Sequence, residues 1–205
     1  MARREGYAWG RERVQFTSLP RHRGLEPVRF EFRAPWSRSL RLVSGGTVAL
    51  LATLVALGLT TGPRQLWIWN LAMVGLPLAV LITSLPFLVR GYVLTEGDLT
   101  VRRLLWDTHV SLAGLQSAAG VPEGLKGSVR LLGNGGLFSI TGWYWNRRLG
   151  RFRAWATDPD RVVLLRFEDG RRVVITPDDV QHFLVQVRQS ASSHAQQLAG
   201  ARAPD

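Results

Sequence analysis

Two apolar stretches decide the fold of this 205-residue chain: LVSGGTVALLATLVALGL at residues 42–59 and LWIWNLAMVGLPLAVLITSLPF at residues 66–87. Only a short connection, Thr60–Gln65, separates them, and neither contains a charged residue. Each stretch is about 20 residues long, which as a helix matches the roughly 30 Å hydrocarbon core of a bilayer. The pattern predicts a transmembrane helical hairpin over residues 38–89.

Two other interpretations of these stretches fit less well. A signal peptide has a short apolar core close to the N-terminus, whereas the first stretch begins after about 40 residues and no A-x-A site precedes Thr60. A buried helical hairpin of a soluble protein would need roughly 150 other residues to cover apolar surface on all sides. We therefore expect a membrane anchor.

The charge distribution predicts how the hairpin is oriented. The chain has a net charge of +11, and Met1–Arg41 alone carries ten Arg against four Glu. Arginines flank the outer ends of the two stretches, at Arg38, Arg41, Arg90, Arg102 and Arg103, whereas the connection holds only Arg64. The positive-inside rule then predicts a multi-pass protein with both termini in the cytoplasm.

Small residues mark one face of the first stretch. This candidate helix-packing face consists of Gly45, Gly46, Ala49, Ala52 and Ala56. Small residues four apart let two helices approach closely, and the simplest partner is the second stretch. In that second stretch, Pro77 predicts a kink. Neither stretch has an ionisable side chain, so a channel or transporter is not expected.

The flanking segments differ in character. Residues 1–37 read as an Arg-rich cytoplasmic arm, largely irregular except for Val28–Arg33, which alternates apolar and charged residues like a strand that pairs with the later domain. Residues 191–205 are polar and Ala-rich and are predicted to be a flexible tail. The chain contains no Cys, which excludes disulfides, thiolate metal sites and cysteine nucleophiles.

From Arg90 onward the apolar period changes to that of short strands. Strands are predicted at Tyr92–Thr95, Leu99–Leu104, Leu137–Thr141, Arg151–Ala156, Arg161–Phe167 and Arg171–Thr176, and His109–Leu112 and Leu115–Ala118 are short strand candidates. Gly120–Gly136 is predicted to be turn-rich. A helix follows, capped by Thr176, with an apolar stripe at Val180, Phe183, Leu184 and Val187. Residues 90–190 are thus predicted to form a mainly-β barrel of six or seven antiparallel strands closed by a C-terminal helix.

The run from Gly127 to Asn146, with Leu149-Gly150 and Ala156-Thr157-Asp158, resembles the bacterial PH-domain (pleckstrin-homology-like) proteins, in which a two-helix membrane hairpin precedes a PH-like domain. The ending Val174–Asp178 and Phe183 is similar to the strand-to-helix end of the same family. The resemblance covers about Arg90–Gln189. It implies a PH-like fold in the bacterial inner membrane and a binding or structural role, and it carries over no catalytic residue.

The densest aromatic and basic cluster is the candidate recognition surface. It comprises Trp143, Tyr144, Trp145, Arg147, Arg148, Arg151 and Arg153. Such residues suit a lipid headgroup boundary or a protein partner. The alternative is that the tryptophans lie in the core and the arginines are solvated. Nucleic acid is not expected as a partner of a membrane-tethered domain.

No enzyme chemistry is expected. The four histidines are widely spread without metal-ligand spacing, and the acidic residues fall mainly at turns. Gly133–Gly136 is followed by no Lys-Ser/Thr pair and is predicted to be a tight turn rather than a phosphate loop. We therefore expect no catalytic residue, no cofactor and no metal.

The sequence favours a membrane-anchored cytoplasmic binding or scaffold module that recognises a protein partner or anionic lipid headgroups. The alternative is an accessory subunit of a larger membrane protein complex, with the helices and the Arg-rich arm packing on other subunits.

Overall fold

The computed structural model describes residues 28–63 and 65–201. Most of the predicted arm, residues 1–27, lies outside the described residues, as do Arg64 and the last four residues of the predicted tail.

Two long helices form the N-terminal hairpin. Helix α1 spans Arg38–Thr61, and Ser37 caps it by accepting the Leu40 N–H on its Oγ at 3.1 Å. The second helix, Trp67–Phe87, consists of α2 (Trp67–Asn70), a π-helical turn (Leu71–Gly75), α3 (Leu76–Ser84) and a 3₁₀ turn (Leu85–Phe87). Both helices are long and apolar enough to cross a membrane, and only 11% and 6% of their most apolar segments are buried.

The second helix departs from regular α geometry directly before Pro77. The π-helical turn ends at Gly75, and the next N–H, that of Leu76, bonds back to the Leu71 carbonyl, five residues earlier. A proline lacks the N–H of a regular turn, and π-turns are a known cause of helix kinks. The irregularity predicted at Pro77 therefore takes the form of a π-helical turn.

The small-residue face of α1 does not pack against the second helix, so that prediction is wrong. Gly45, Gly46, Ala49, Ala52 and Ala56 are all exposed, and a Cβ added to Gly45 or Gly46 would meet nothing within 4 Å.

The contact between the two helices uses another face of α1. A Cβ on Gly58 would lie 2.6 Å from the Met73 Cβ, and Trp69 Nε1 donates to the Gly58 carbonyl at 3.3 Å. Gly58 shares its face with Ser44, which is nearly four helical turns away and is also buried. Because Ser44 is held by the C-terminal domain, it sets the rotation of α1 and turns the small residues outward.

The strands of the described chain form two facing sheets. The four-stranded sheet has the antiparallel order β1-β2-β3-β4, with β1 (Phe30–Arg33), β2 (Val89–Thr95), β3 (Asp98–Arg103) and β4 (Asp107–Ser111). The six-stranded sheet has the order β5-β9-β10-β8-β7-β6, with β5 (Leu115–Gly120), β6 (Val129–Gly135), β7 (Ile140–Asn146), β8 (Gly150–Ala156), β9 (Val163–Phe167) and β10 (Arg172–Ile175). Its β8 and β10 are parallel, and its other neighbouring strands are antiparallel.

Several strand predictions are confirmed. Val28–Arg33 does pair with the later domain, since Phe32 of β1 lies opposite Tyr92 of β2. The predicted hairpins become β2–β3 and β9–β10. The described residues hold ten strands rather than six or seven, and they form an open sandwich of two sheets, as in PH-like folds, rather than a closed barrel.

The glycine-rich region was predicted wrongly as turns. Val129–Gly135 is strand β6, and β7 begins at Ile140 rather than Leu137. Gly133 and Gly142 lie opposite each other with φ of +120° and +134°, where the two backbones approach too closely for a side chain. These glycines therefore serve strand pairing, and the turn itself is 136–139, closed by the Gly136 N–H and the Ser139 carbonyl at 3.1 Å.

The C-terminal helix α4 spans Val180–Ala201, so residues 191–201, which were predicted to belong to a flexible tail, are helical. Its predicted apolar stripe is confirmed, because Phe183, Leu184 and Val187 are buried in the main core. The predicted Thr176 cap is wrong. Asp179 Oδ1 accepts the His182 N–H at 2.9 Å instead, whereas Thr176 Oγ1 is buried and accepts the Thr157 N–H at 2.9 Å.

A buried tyrosine joins the two sheets. The Tyr92 hydroxyl on β2 donates to the Trp155 carbonyl on β8 at 2.6 Å and accepts the Thr176 N–H at 3.2 Å. Burial raises the pKa of Tyr92 from 10.0 to about 12, because the phenolate would lose its hydration.

This shift predicts a loss of stability in alkali. As the pH rises above 10, the unfolded chain loses the Tyr92 proton while the folded chain keeps it until about pH 12. The free energy of unfolding should fall by up to about 3 kcal/mol across this window. Chemical unfolding of the full chain in neutral detergent should show the fall. Tyr92→Phe should show a much smaller fall, left by Tyr144, whose pKa burial also raises, and should cost about 1–3 kcal/mol at neutral pH. An equal alkaline fall in both proteins would contradict the prediction.

Candidate functional site

The C-terminal domain is hydrogen-bonded to the first turns of α1 and to the end of the second helix. Ser44 Oγ on α1 accepts the Phe138 N–H at 2.9 Å and donates to the Gly136 carbonyl at 3.3 Å. Ser139 Oγ donates to the carbonyl of Phe87, the last residue of the second helix. The β6–β7 turn is therefore fastened to the hairpin from both sides.

A second loop lies beside the same end of the hairpin. The Leu104 N–H donates to the Leu88 carbonyl at 3.2 Å, one residue past the second helix. We call Leu104–Trp106, between β3 and β4, the apolar loop. Its three side chains are exposed, Leu105 by 66%. Three consecutive large apolar side chains that are exposed to solvent indicate a contact surface.

Four arginines gather next to this loop, and we call them the hairpin-proximal arginine cluster: Arg33, Arg90, Arg102 and Arg103. They line one cavity of about 570 Å³. The strand register brings them together, because Gly91 of β2 lies opposite both Arg33 of β1 and Arg102 of β3. Arg90 sits in an irregularity of the β2–β3 pairing between Val89 and Gly91.

The cavity carries excess positive charge. Two carboxylates, Glu31 and Asp107, line it beside the four guanidinium groups. Glu31 contacts Arg29 at 3.1 Å and Arg102 at 3.5 Å. Within the described part of the chain, no carboxylate lies within 4 Å of the other three cluster guanidinium groups. The arrangement suits an anion, since guanidinium groups bind phosphate through paired hydrogen bonds.

A chain of alternating tryptophan and arginine side chains crosses the domain, and we call it the Trp–Arg ladder: Trp106, Arg103, Trp155, Arg153, Trp143 and Arg151. Arg103 lies 5.9 Å from the Trp106 ring and 5.8 Å from the Trp155 ring. Arg153 lies 4.6 Å from Trp155 and 5.8 Å from Trp143. Arg151 ends the ladder 4.5 Å from Trp143. Such cation–π contacts hold the guanidinium groups in place without neutralising them.

Arg103 is the buried arginine of this ladder. Burial, together with the positive charge of Arg153, lowers the pKa of Arg103 below its usual value. Its Nε has no hydrogen-bond partner among the described residues, and the same holds for Trp155 Nε1. The ladder thus contains two buried donors with unused hydrogen-bonding capacity.

The structure brings together only part of the predicted recognition surface. Trp143 and Arg153 lie opposite each other on β7 and β8, as do Trp145 and Arg151, all on one face of the sheet. Tyr144 is a correction to the prediction. Strand alternation turns it to the other face, where it is buried, stacks on Phe152 and donates to the Asn134 carbonyl.

The two remaining predicted residues lie apart from this group. Arg147 and Arg148 are exposed in the β7–β8 turn. They follow the end of β7 that is opposite its hairpin-bound start at Ile140, about 20 Å along the strand.

The arginine cluster was missed as a site. Arg90, Arg102 and Arg103 were visible as charges that orient the hairpin, but their meeting with Arg33 depends on the register of β1. The ladder was missed because Arg103 and Trp106 lie about 40 residues before the predicted surface, and only the packing of the two sheets brings them to Trp155. Residues 28–63 and 65–201 contain no group of three His, Asp or Glu that could hold a metal, and the expected absence of a metal stays a prediction.

Comparison with known families identifies the domain. Residues 90–191 match the family model of the bacterial PH domain. Neither the curated proteins nor the solved structures give a match to the chain. The match covers β2 to the first half of α4, which is the two-sheet sandwich without β1. The chain therefore carries a bacterial PH domain at residues 90–191, preceded by two long apolar helices.

Proposed function

We propose that this protein is a membrane-anchored binding module whose PH domain recognises anionic lipid headgroups at the cytoplasmic face of the bacterial inner membrane. In this proposal the hairpin crosses the membrane and both termini are cytoplasmic. A bacterial PH domain indicates a binding or scaffold module. The observation that carries the lipid assignment is the cavity formed by the hairpin-proximal arginine cluster.

The position of the cluster supports this assignment. Arg90 follows the end of the second helix, Phe87, by three residues, which is at most about 10 Å of extended chain. Arg33 precedes the start of α1 at Arg38 by five residues. An anionic leaflet acts on charges within about one Debye length, roughly 8 Å at physiological salt. Arg90, at most about 10 Å from the end of the helix, would therefore lie within one to two Debye lengths of the headgroups once the hairpin is inserted, and the β1–β2 register places Arg33 beside it.

The apolar loop supports the same assignment. Leu105 and Trp106 are exposed beside Leu88, where a protein–water surface would disfavour them. Tryptophan is enriched at the membrane interface. Burying a leucine side chain contributes about 25 cal/mol of favourable free energy for each Å² of apolar surface removed from water. The loop would enter the interface while the adjacent arginines meet phosphate groups.

The lipid proposal predicts a selective loss when the cluster is neutralised. The double variant Arg33→Gln/Arg90→Gln of the full chain, in neutral detergent, should bind short-chain phosphatidylglycerol about 30-fold more weakly than wild type, since neither guanidinium group is paired with a carboxylate in the described part of the chain. This corresponds to about 1 kcal/mol for each arginine. Binding can be followed by thermophoresis, with short-chain phosphatidylcholine as the neutral lipid.

Arg147→Gln/Arg148→Gln is the matched control, because it removes the same charge from the exposed β7–β8 turn. It should bind phosphatidylglycerol like wild type. If both double variants lost the same affinity for phosphatidylglycerol, net charge rather than the arginine cluster would explain the binding. Equal binding of the two lipids by wild type would refute the headgroup site.

A second candidate function, an accessory subunit of a larger membrane complex, is favoured by one observation. The small-residue face of α1 is exposed rather than packed in the hairpin. Such faces are typical of helix–helix contacts within membranes.

The accessory-subunit hypothesis predicts a partner that depends on this face. Gly45→Leu should reduce a partner co-purified in mild detergent by about 10-fold without lowering the thermal stability of the chain itself, since nothing lies within 4 Å of an added Cβ. Gly58→Leu is the contrasting variant, because it clashes with Met73 and should destabilise the hairpin. A wild-type chain that purifies alone, or a partner unaffected by Gly45→Leu, would argue against this function.

A further inference from the structure

The six-stranded sheet is wider than the four-stranded sheet, so part of its inner face is left uncovered. A row of register neighbours runs across the six-stranded sheet: Leu165, Val173, Arg153, Trp143 and Leu132. The first two are buried under the four-stranded sheet, Arg153 is exposed, Trp143 is partly exposed and Leu132 is 70% exposed. We call Arg153, Trp143 and Leu132 the shelf.

The uncovered shelf lies beside an unpaired strand edge. Among the described strands β4 pairs only with β3, so its other edge has free backbone groups. Four consecutive residues of β4, 108–111, line a groove of about 190 Å³ together with Trp143 and Arg153. A fifth strand added to β4 would lie about 4.8 Å from it and would cover the shelf at the usual sheet spacing of about 10 Å.

The polar groups of the groove indicate an anionic occupant. No Asp or Glu lines it, whereas Arg153, Arg171 and Arg172 do. Arg171 pairs with Asp169, and Arg172 donates to the Leu149 carbonyl. Arg153 stacks on two tryptophans and has no carboxylate within 4 Å in the described part of the chain. Trp155, 1% exposed, also lines the groove, and its Nε1 lacks an acceptor there.

We propose that the β4 edge and the shelf bind an extended acidic segment of a partner protein, which pairs with β4 as an added strand and places carboxylates against Arg153 and Arg151. In a strand the carboxylates of every second residue share one face, and Arg151 and Arg153 are spaced by the same two residues along β8. Strand addition supplies affinity through the backbone, and the side chains supply selectivity.

Other occupants fit this groove less well. A second copy of the chain would pair β4 with β4, which would bring two sets of unneutralised arginines together. Nucleic acid would meet the arginines but would leave the backbone edge of β4 unpaired. The groove is separate from the cavity of the arginine cluster, so this inference does not depend on the lipid proposal.

The test uses the full chain in neutral detergent and a fluorescein-labelled decapeptide of alternating Glu and Thr. One comparison peptide replaces Glu with Lys, and another has alternate backbone amides N-methylated to block strand pairing. Fluorescence anisotropy should show that both comparison peptides bind at least about 10-fold more weakly than the acidic peptide. Bound acidic peptide should also slow amide exchange in Asp107–Ser111.

Two arginine variants localise the effect. Arg153→Gln should weaken binding of the acidic peptide about 10-fold. Arg147→Gln makes the same charge change in the β7–β8 turn and should leave the affinity unchanged. Trp143→Ala provides a second shelf variant, and thermal unfolding checks that each variant is folded.

Several results would overturn the inference. One is the absence of acidic-peptide binding at concentrations up to about 1 mM. Another is an N-methylated peptide that binds as tightly as the acidic peptide. A third is an equal loss of peptide affinity in Arg153→Gln and Arg147→Gln. Displacement of the peptide by self-association of the chain would assign the edge to a second copy. Tighter binding of a single-stranded oligonucleotide with the same charge would assign it to nucleic acid.

Discussion

The attachment of the β6–β7 turn to the start of α1 and to the end of the second helix is the constraint on which the other features depend. Ser44 Oγ holds two backbone groups of that turn, and Ser139 holds the last carbonyl of the second helix. These bonds set the rotation of α1, which directs Gly58 toward Met73 and the small residues outward. They also keep the end of the four-stranded sheet with the arginine cluster at the hairpin, so that the cluster and the apolar loop share one side of the domain.

The sandwich places the two proposed binding surfaces on different parts of the domain. Tyr92 ties the sheets together in the core, and the four-stranded sheet covers only part of its wider neighbour. At the hairpin end, unneutralised guanidinium groups and exposed apolar side chains suit a lipid interface. Farther along β7 and β8, a tryptophan–arginine shelf beside a free strand edge suits an extended acidic chain. The Trp–Arg ladder connects the two regions through Arg103 and Trp155.

Local patterns in the sequence predicted the elements better than their contacts. The apolar lengths identified the two helices, the alternation in Val28–Arg33 identified a strand that pairs with the domain, and the spacing of Phe183, Leu184 and Val187 identified the buried face of α4. Family resemblance identified the PH domain. The glycine-rich region was predicted wrongly as turns, because a glycine with positive φ, such as Gly133 or Gly142, occurs in a closely approaching strand pair as well as in a turn.

The candidate sites required tertiary information. Strand alternation removes Tyr144 from the predicted surface, a fact that depends on where β7 begins. Arg33 joins Arg90 and Arg102 only through the register of β1 and β2, two strands separated in sequence by the entire helical hairpin. The uncovered shelf depends on which strands the narrower sheet covers, and no local pattern encodes that.

Lipid quenching of probes on the domain tests most directly whether the hairpin attachment holds the apolar loop at the bilayer. The chain contains no Cys, so Leu105→Cys and Arg147→Cys each provide a single labelling position for a fluorophore. In liposomes that contain nitroxide-labelled lipids, the probe at position 105 should be strongly quenched and the probe at position 147 weakly quenched. Equal quenching at both positions, or weak quenching at position 105, would contradict a PH domain held against the membrane by its hairpin-proximal end.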